Sequence, residues 1–138
     1  MNRTASCYCG QVEVSVRGEP VFRWACHCDN CQRMSGSIGQ FFAAYSEDCI
    51  VAVTGETHVF GVFPDAPGAG RHFCKTCGTT VYARNPEAMP GITTIAVGCF
   101  ADPEFPGPQT VSFTRYRHAW CGEFEGARSF EGNVGEDT

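Results

Sequence analysis

Seven of the ten cysteines in this 138-residue chain fall into three tight groups. They are Cys7-Tyr8-Cys9, Cys26-His27-Cys28-Asp29-Asn30-Cys31 and Cys74-Lys75-Thr76-Cys77. C-x-C and C-x-x-C spacings belong to metal sites and redox motifs. In an extended segment residues i and i+2 point the same way, so a C-x-C pair offers two thiolates to one ion. Cys74 and Cys77, followed by Gly78, read as a knuckle turn in which the glycine lets the chain fold tightly behind a metal. Neither two-cysteine group closes a tetrahedral site alone. Together, Cys7, Cys9, Cys74 and Cys77 supply the four sulfurs of a structural zinc. Cys26, Cys28 and Cys31 supply three and leave one position open, the pattern of a catalytic zinc. A rival partition joins Cys7 and Cys9 to the 26–31 group and leaves Cys74 and Cys77 elsewhere. The first is preferred because the 26–31 set is complete in itself. The expectation is two Zn2+ per chain, one structural and one catalytic.

Cys49, Cys99 and Cys121 stand alone and read as buried small hydrophobes. His27 lies between two ligand cysteines, so strand alternation turns it away from their ion. It and Asp29 are candidates for acid–base work by proximity alone. His72 reads as a strand residue near the four-sulfur set, and His58 as a surface strand residue. The three-cysteine set has a structural reading too, closed by His118 or Cys121. Three thiolates on Zn2+ carry a net charge of −1, which weakens a Lewis acid. That favours a thiol substrate at the open position, where coordination removes its proton, over an aldehyde carbonyl. Arg33 and Arg71 are the nearest candidates in sequence for meeting substrate carboxylates in a bidentate fork.

The elements that must position these groups are short strands. Hydrophobic residues make up 43% of the chain, enough for a globular core. QVEVSVR alternates strictly, placing Val12, Val14 and Val16 on one face. FRWAC, IGQFFAAY, CIVAVTG, THVFGVF, TTVYAR and ITTIAVG are further strand candidates, rich in β-branched and aromatic residues. The 16 glycines and eight prolines suit a turn-rich β protein. The spacing predicts one short helix over residues 29–35, DNCQRMS, capped by Asp29 or Asn30. PDAPGAG (64–70), PEAMPG (86–91) and ADPEFPGP (101–108) read as loops. The fold class is therefore mostly β, with several small antiparallel sheets clipped by zinc and residues 1–138 forming a single domain. The formal charge is −5, and nine of the ten basic residues are scattered arginines, a poor footprint for nucleic acid. The acidic stretch 123–138 reads as a solvated surface or tail. No apolar run approaches the ~20 residues of a membrane helix, and the N-terminus has no apolar stretch that reads as a secretory signal. These features point to a soluble, cytoplasmic protein with reduced thiols.

The order SCYCGQVEVSV, CHCDNCQRMSGS, GE at 55–56, RHFCKTCGTTVYAR and GCFADP resembles the glutathione-dependent formaldehyde-activating enzyme family. RYRHAW and SFEG extend the likeness, which runs from about residue 5 to residue 132. The resemblance implies a zinc-clipped β fold described as a β-tent. It also implies Cys7, Cys9, Cys74 and Cys77 as structural ligands and Cys26, Cys28 and Cys31 as the catalytic set. The activity implied is that of a carbon–sulfur lyase, joining formaldehyde to glutathione to give S-hydroxymethylglutathione. Three departures stand out: Ala101-Asp102 where the family often doubles an acid, PDAPGAG (64–70) where a Ser-rich stretch often precedes the second knuckle, and Ala119 where a proline is common. Two other readings remain: a zinc-stabilised binding module that catalyses nothing, and a redox or metal-sensing role for exposed thiolates.

Overall fold

The computed structural model describes residues 1–61 and 69–134. In chain order the elements are β1 (Asn2–Ser6), β2 (Glu13–Arg17), β3 (Phe22–Cys26), α1 (Asp29–Ser35) and β4 (Gln40–Ser46). They continue with β5 (Ile50–Thr54), β6 (Thr57–Phe60), β7 (Gly70–Cys74), β8 (Thr80–Arg84), β9 (Ile92–Ala96), β10 (Thr110–Ser112) and β11 (Arg128–Ser129). The fold is mostly β, with one α-helix among the described residues, as the residue pattern leads one to expect. No helix among the described residues is long and apolar enough to cross a membrane. The chain divides into two compact units, Met1–Val21 with Ala43–Pro103, and Phe22–Phe42 with Glu104–Thr138. β4 belongs to both, residues 40–42 to the second and 43–46 to the first.

In the first unit β1, β2 and β5 form a three-stranded antiparallel sheet with β2 in the middle. Val12, Val14 and Val16 are fully buried, so the alternation in QVEVSVR reports the core face directly. Val14 pairs with Ala5 on one side and Val53 on the other. β1 carried no strand signal, because NRTAS has only one core residue, Ala5. It forms through its ladder with β2. A second run, β9-β8-β7-β6, is also antiparallel and ends with Thr57 opposite Cys74. The strand expected over ITTIAVG stops at Ala96, and Val97–Phe100 turns into a 3-10 helix. Of the loop expected at 64–70, residues 64–68 lie outside the described residues, and Gly70 is already the first residue of β7.

In the second unit β10 runs parallel to both β3 and β11. Only antiparallel pairs were expected. Residues 27–109 separate β3 from β10, ample chain for the crossover that a parallel pair requires. Ala25, Val111 and Phe130 are buried here, and Trp24 stacks on Phe42 with centroids 4.6 Å apart. Within the stretch 123–134, read as a solvated surface or tail, most residues are exposed, while Phe130 is buried and Arg128–Ser129 form β11. α1 occupies residues 29–35 as predicted, but its cap is Cys28, whose Sγ accepts from the Cys31 amide at 3.3 Å. Asp29 is drawn away from capping by Asn30 N at 3.0 Å and by Arg33 at 3.3 Å.

Val14 is 0% exposed and its cross-strand neighbour Val53 is 47% exposed. Val14→Ala should lower unfolding stability by about 2 kcal/mol through lost burial and a residual cavity. Val53→Ala should change it by no more than about 0.5 kcal/mol. Urea midpoints of the two variants at constant m-value measure the difference; equal shifts would contradict the assigned core.

Candidate metal centres

Cys7, Cys9, Cys74 and Cys77 come together in the first unit, with all four sulfurs within 4.8 Å of one another. Cys7 directly follows β1, and its amide donates to Val12 O at 2.9 Å while Gly10 N returns to Cys7 O at 3.2 Å. This turn folds Cys9 back beside Cys7, with the sulfurs 3.6 Å apart. Cys74 ends β7 and opens the second turn. Gly78 closes it at φ 79°, a left-handed value that glycine adopts freely, with its amide on Cys74 O at 3.0 Å. The Thr76 and Cys77 amides point at Cys74 Sγ at 3.3 and 3.5 Å, and the Val12 amide at Cys7 Sγ at 3.2 Å. Thr76 Oγ1 donates to Gln11 Oε1 at 2.9 Å and the Tyr8 amide to Thr79 Oγ1 at 3.2 Å, so polar bonds join the two turns.

The geometry can be tested against a tetrahedral zinc. Zn–S bonds of about 2.3 Å at tetrahedral angles place sulfurs about 3.8 Å apart. The Cys7–Cys9 and Cys9–Cys74 separations are both 3.6 Å. The donor set, its spacing and the backbone amides aimed at sulfur all suit zinc bound by thiolates.

Cys26, Cys28 and Cys31 come together in the second unit, likewise within 4.8 Å. Cys26 ends β3, and Ser112 of β10 is its register partner. Cys28 caps α1 and Cys31 lies one turn in. Among the described residues no histidine, cysteine or carboxylate joins these three as a fourth member. His118 and Cys121, which the alternative structural reading would have used to close the set, are not among its members: the His118 ring lies against Trp120 and Cys121 Sγ donates to Gly122 O. The three sulfurs fit a zinc site with one position left for an exogenous ligand.

Left to themselves, crowded thiols ionise unequally. In the second set, hydrogen bonding from the Cys31 thiol holds Cys26 down to about 5 against the opposing effect of burial, and the Ser112 hydroxyl adds to it. Cys31 moves the other way, pushed up first by its bond to Cys26 and then by burial. The Thr79 hydroxyl and amide hold Cys77 down to about 5. At Cys9 the Gln11 amide pulls downward, but burial and the thiols of Cys7, Cys74 and Cys77 together push it up to about 12. A divalent cation is what allows every sulfur in such a cluster to be a thiolate at once.

All ten cysteines are free thiols. Cys49, Cys99 and Cys121 are half-buried, where full burial was expected. Burial raises the Cys99 thiol to about 11. His72 is a buried strand residue, its Nδ1 bonded to Thr57 Oγ1 at 3.0 Å and its ring stacked on Tyr82. His58 is exposed on β6. Arg33 pairs with Asp29, and Arg71 lies over the Phe60 ring in the first unit. Ser112 and Gln32 escaped the sequence reading. Ser112 has no motif of its own and reaches Cys26 only through β-pairing. Gln32 sits inside CHCDNCQ, and its Nε2 donates to His27 O at 2.9 Å and to Tyr116 O at 3.1 Å. That bond brings the segment before Arg117 to α1.

A family model described as glutathione-dependent formaldehyde-activating enzyme matches residues 2–121. A protein of Pyrenophora teres f. teres (strain 0-1), whose name provisionally assigns it the same activity, is 28% identical over 80 residues. That match covers 56% of this chain and 42% of the relative, so this chain spans less than half of the relative's length. The crystal structure of a Rhodobacter sphaeroides protein is 22% identical, with a TM-score of 0.52 over 77% of this chain and 91% of that one. This is a likeness of fold.

The two cysteine sets should respond differently to loss of a sulfur. Cys77→Ser opens a four-sulfur set that links residues 7–9 to residues 74–77, and a metal bound there would contribute to the folding free energy. It should give an aggregated protein or a sharply lowered melting temperature. Cys28→Ser should leave a folded chain. Circular dichroism melting compares them, and equal damage would make the second set structural.

Proposed function

Because the chain belongs to the glutathione-dependent formaldehyde-activating enzyme family, we propose that it is a zinc-dependent carbon–sulfur lyase interconverting glutathione plus formaldehyde with S-hydroxymethylglutathione. Cys7, Cys9, Cys74 and Cys77 hold a structural Zn2+, and Cys26, Cys28 and Cys31 hold a catalytic one. The observation that carries this reading is the three-sulfur set, gathered within 4.8 Å without a fourth protein ligand among the described residues. Cys26, Cys28 and Cys31 would hold the ion, which would supply a lowered pKa to a thiol ligand and so a thiolate near neutral pH. In the addition, the thiol sulfur bonds to the formaldehyde carbon, the C=O π pair passes to oxygen, and the proton lost by sulfur is balanced by one gained at oxygen from solvent. Cysteines that serve as zinc thiolates, with none of the ten in a disulfide, suit a reducing compartment such as the cytoplasm.

The carboxylates of glutathione need a cation. Arg33 is committed to Asp29. Arg117 is the alternative, because it follows Tyr116, whose carbonyl takes the Gln32 amide from α1. Among the described residues no side-chain hydrogen bond, ion pair or ring contact engages the Arg117 guanidinium, while Arg115 bonds Glu131 O and Arg23 bonds Gly107 O. Arg117 is assigned here to a substrate carboxylate.

Elemental analysis should find two zinc ions per chain, one leaving early under stepwise chelation; a single ion at saturation would refute the assignment. NMR exchange between glutathione and formaldehyde measures the reaction against its uncatalysed background. Wild type should accelerate exchange and Cys28→Ser should return it to the buffer rate. Equal rates in wild type, variant and buffer would defeat the catalytic reading, and zinc-dependent glutathione binding without acceleration would identify a binding module. Arg117→Ala should raise the apparent KM for glutathione about tenfold with kcat little changed, the loss of one charge-assisted bond.

A further inference from the structure

A three-sulfur site has a mechanical problem that a four-sulfur site lacks. When its fourth position exchanges, the ion supplies less restraint, so the protein must hold the sulfurs in place. The peptide unit around His27, between Cys26 and Cys28, is held from three directions. Its amide donates to Ser112 O at 3.1 Å, its carbonyl accepts from Gln32 Nε2 at 2.9 Å, and its ring Nδ1 lies 2.9 Å from Ile38 O. A carbonyl oxygen only accepts, so the proton sits on Nδ1 and the imidazole is the donor. His27 is 0% exposed, and its ring lies parallel to that of Phe124 at 6.3 Å. A surface histidine would not hold one orientation in this way.

The segment that receives the imidazole is also tied, through Ser35, to the backbone carbonyl of the third cysteine. Ser35 Oγ lies 2.8 Å from Cys31 O and 3.0 Å from Gly39 O. Gly39 is buried against Cys26: a Cβ there would stand 2.7 Å from Cys26 O and 3.0 Å from His27 Nδ1, which no side chain tolerates. Residues 35–39 therefore touch Cys31 through Ser35, Cys26 through Gly39 and the Cys26–Cys28 linker through His27.

We infer that His27 is a positioning residue for the second metal centre. Its Nδ1–H bond to Ile38 O, with Ser35 as the matching tie on α1, holds Cys26, Cys28 and Cys31 in ligating geometry while the fourth position exchanges. Partners that orient metal ligands in this way are typically worth about 10- to 100-fold in metal affinity. The inference rests on the proposed assignment of this set to a metal, and its test reads metal binding rather than turnover.

Protein with the four-sulfur centre zinc-filled and the weaker ion removed by mild chelation is titrated with Co2+, following thiolate-to-cobalt charge-transfer and d–d bands. His27→Leu, which keeps the bulk and loses the donor, should bind Co2+ about tenfold more weakly with altered d–d bands. His27→Asn, whose Nδ2 stands where Nδ1 did, should recover affinity to within about threefold. Ser35→Ala alters an exposed side chain and leaves the core intact, so it gives a folded protein in which the same weakening, of smaller size, should appear. Wild-type affinity and spectrum in both His27→Leu and Ser35→Ala would overturn the inference. So would His27→Asn as weak as His27→Leu, which would mean that ring packing and not the hydrogen bond is responsible. If Co2+ binding follows these expectations while formaldehyde exchange is not accelerated, the positioning role stands and the proposed chemistry falls.

Discussion

Like charges a few ångströms apart dictate what this protein can be. Cys7, Cys9, Cys74 and Cys77 are crowded within 4.8 Å, and so are Cys26, Cys28 and Cys31. Without a cation the crowded thiols shift in opposite directions, Cys26 down and Cys31 up in the second group, Cys7 and Cys77 down and Cys9 up in the first. The local backbone is arranged for the ionised state. Amides of Val12, Thr76 and Cys77 point at sulfur in the first group, and the Cys31 amide at Cys28 in the second. Such amides contribute more when the acceptor is a thiolate.

The two sets solve this problem to different ends. The first draws its sulfurs from two turns 65 residues apart in sequence, Cys9 and Cys74 lying 3.6 Å from each other. Closing that distance makes the set part of the architecture of its unit, beside the buried face of β2. The second is local: six residues at a strand end and a helix start, capped by one of its own cysteines. Its three sulfurs need no distant chain segment to meet. The distant segments, Ser112 on β10 and Tyr116 beyond it, adjust and brace what is already assembled. A closed set suits structure, and a local, braced, open set suits exchange of a ligand.

Much of this was legible in the residues themselves because the signals are short-range. Cysteine spacing of two or three depends only on local chain direction, so the membership of the 26–31 set could be read directly. Strict alternation in QVEVSVR reports a half-buried strand, and Val12, Val14 and Val16 are all fully buried. The helix at residues 29–35 agrees with its prediction in both ends, although Cys28 replaces Asp29 and Asn30 as its cap, because a sulfur directed inward accepts the amide that the aspartate side chain gives up.

Tertiary structure decided what depends on pairing between remote segments. β1 has almost no intrinsic signal and exists because β2 offers it a ladder. β10, three residues long, runs parallel to β3, and only that register places Ser112 beside Cys26. That neither His118 nor Cys121 joins the three-sulfur set follows from where chain segments distant in sequence come to rest. Local geometry is written in spacing and periodicity, which the chain carries with it. Which remote atoms fill the fourth position, brace a peptide or neutralise a charge is set by packing, and packing is a property of the whole chain at once.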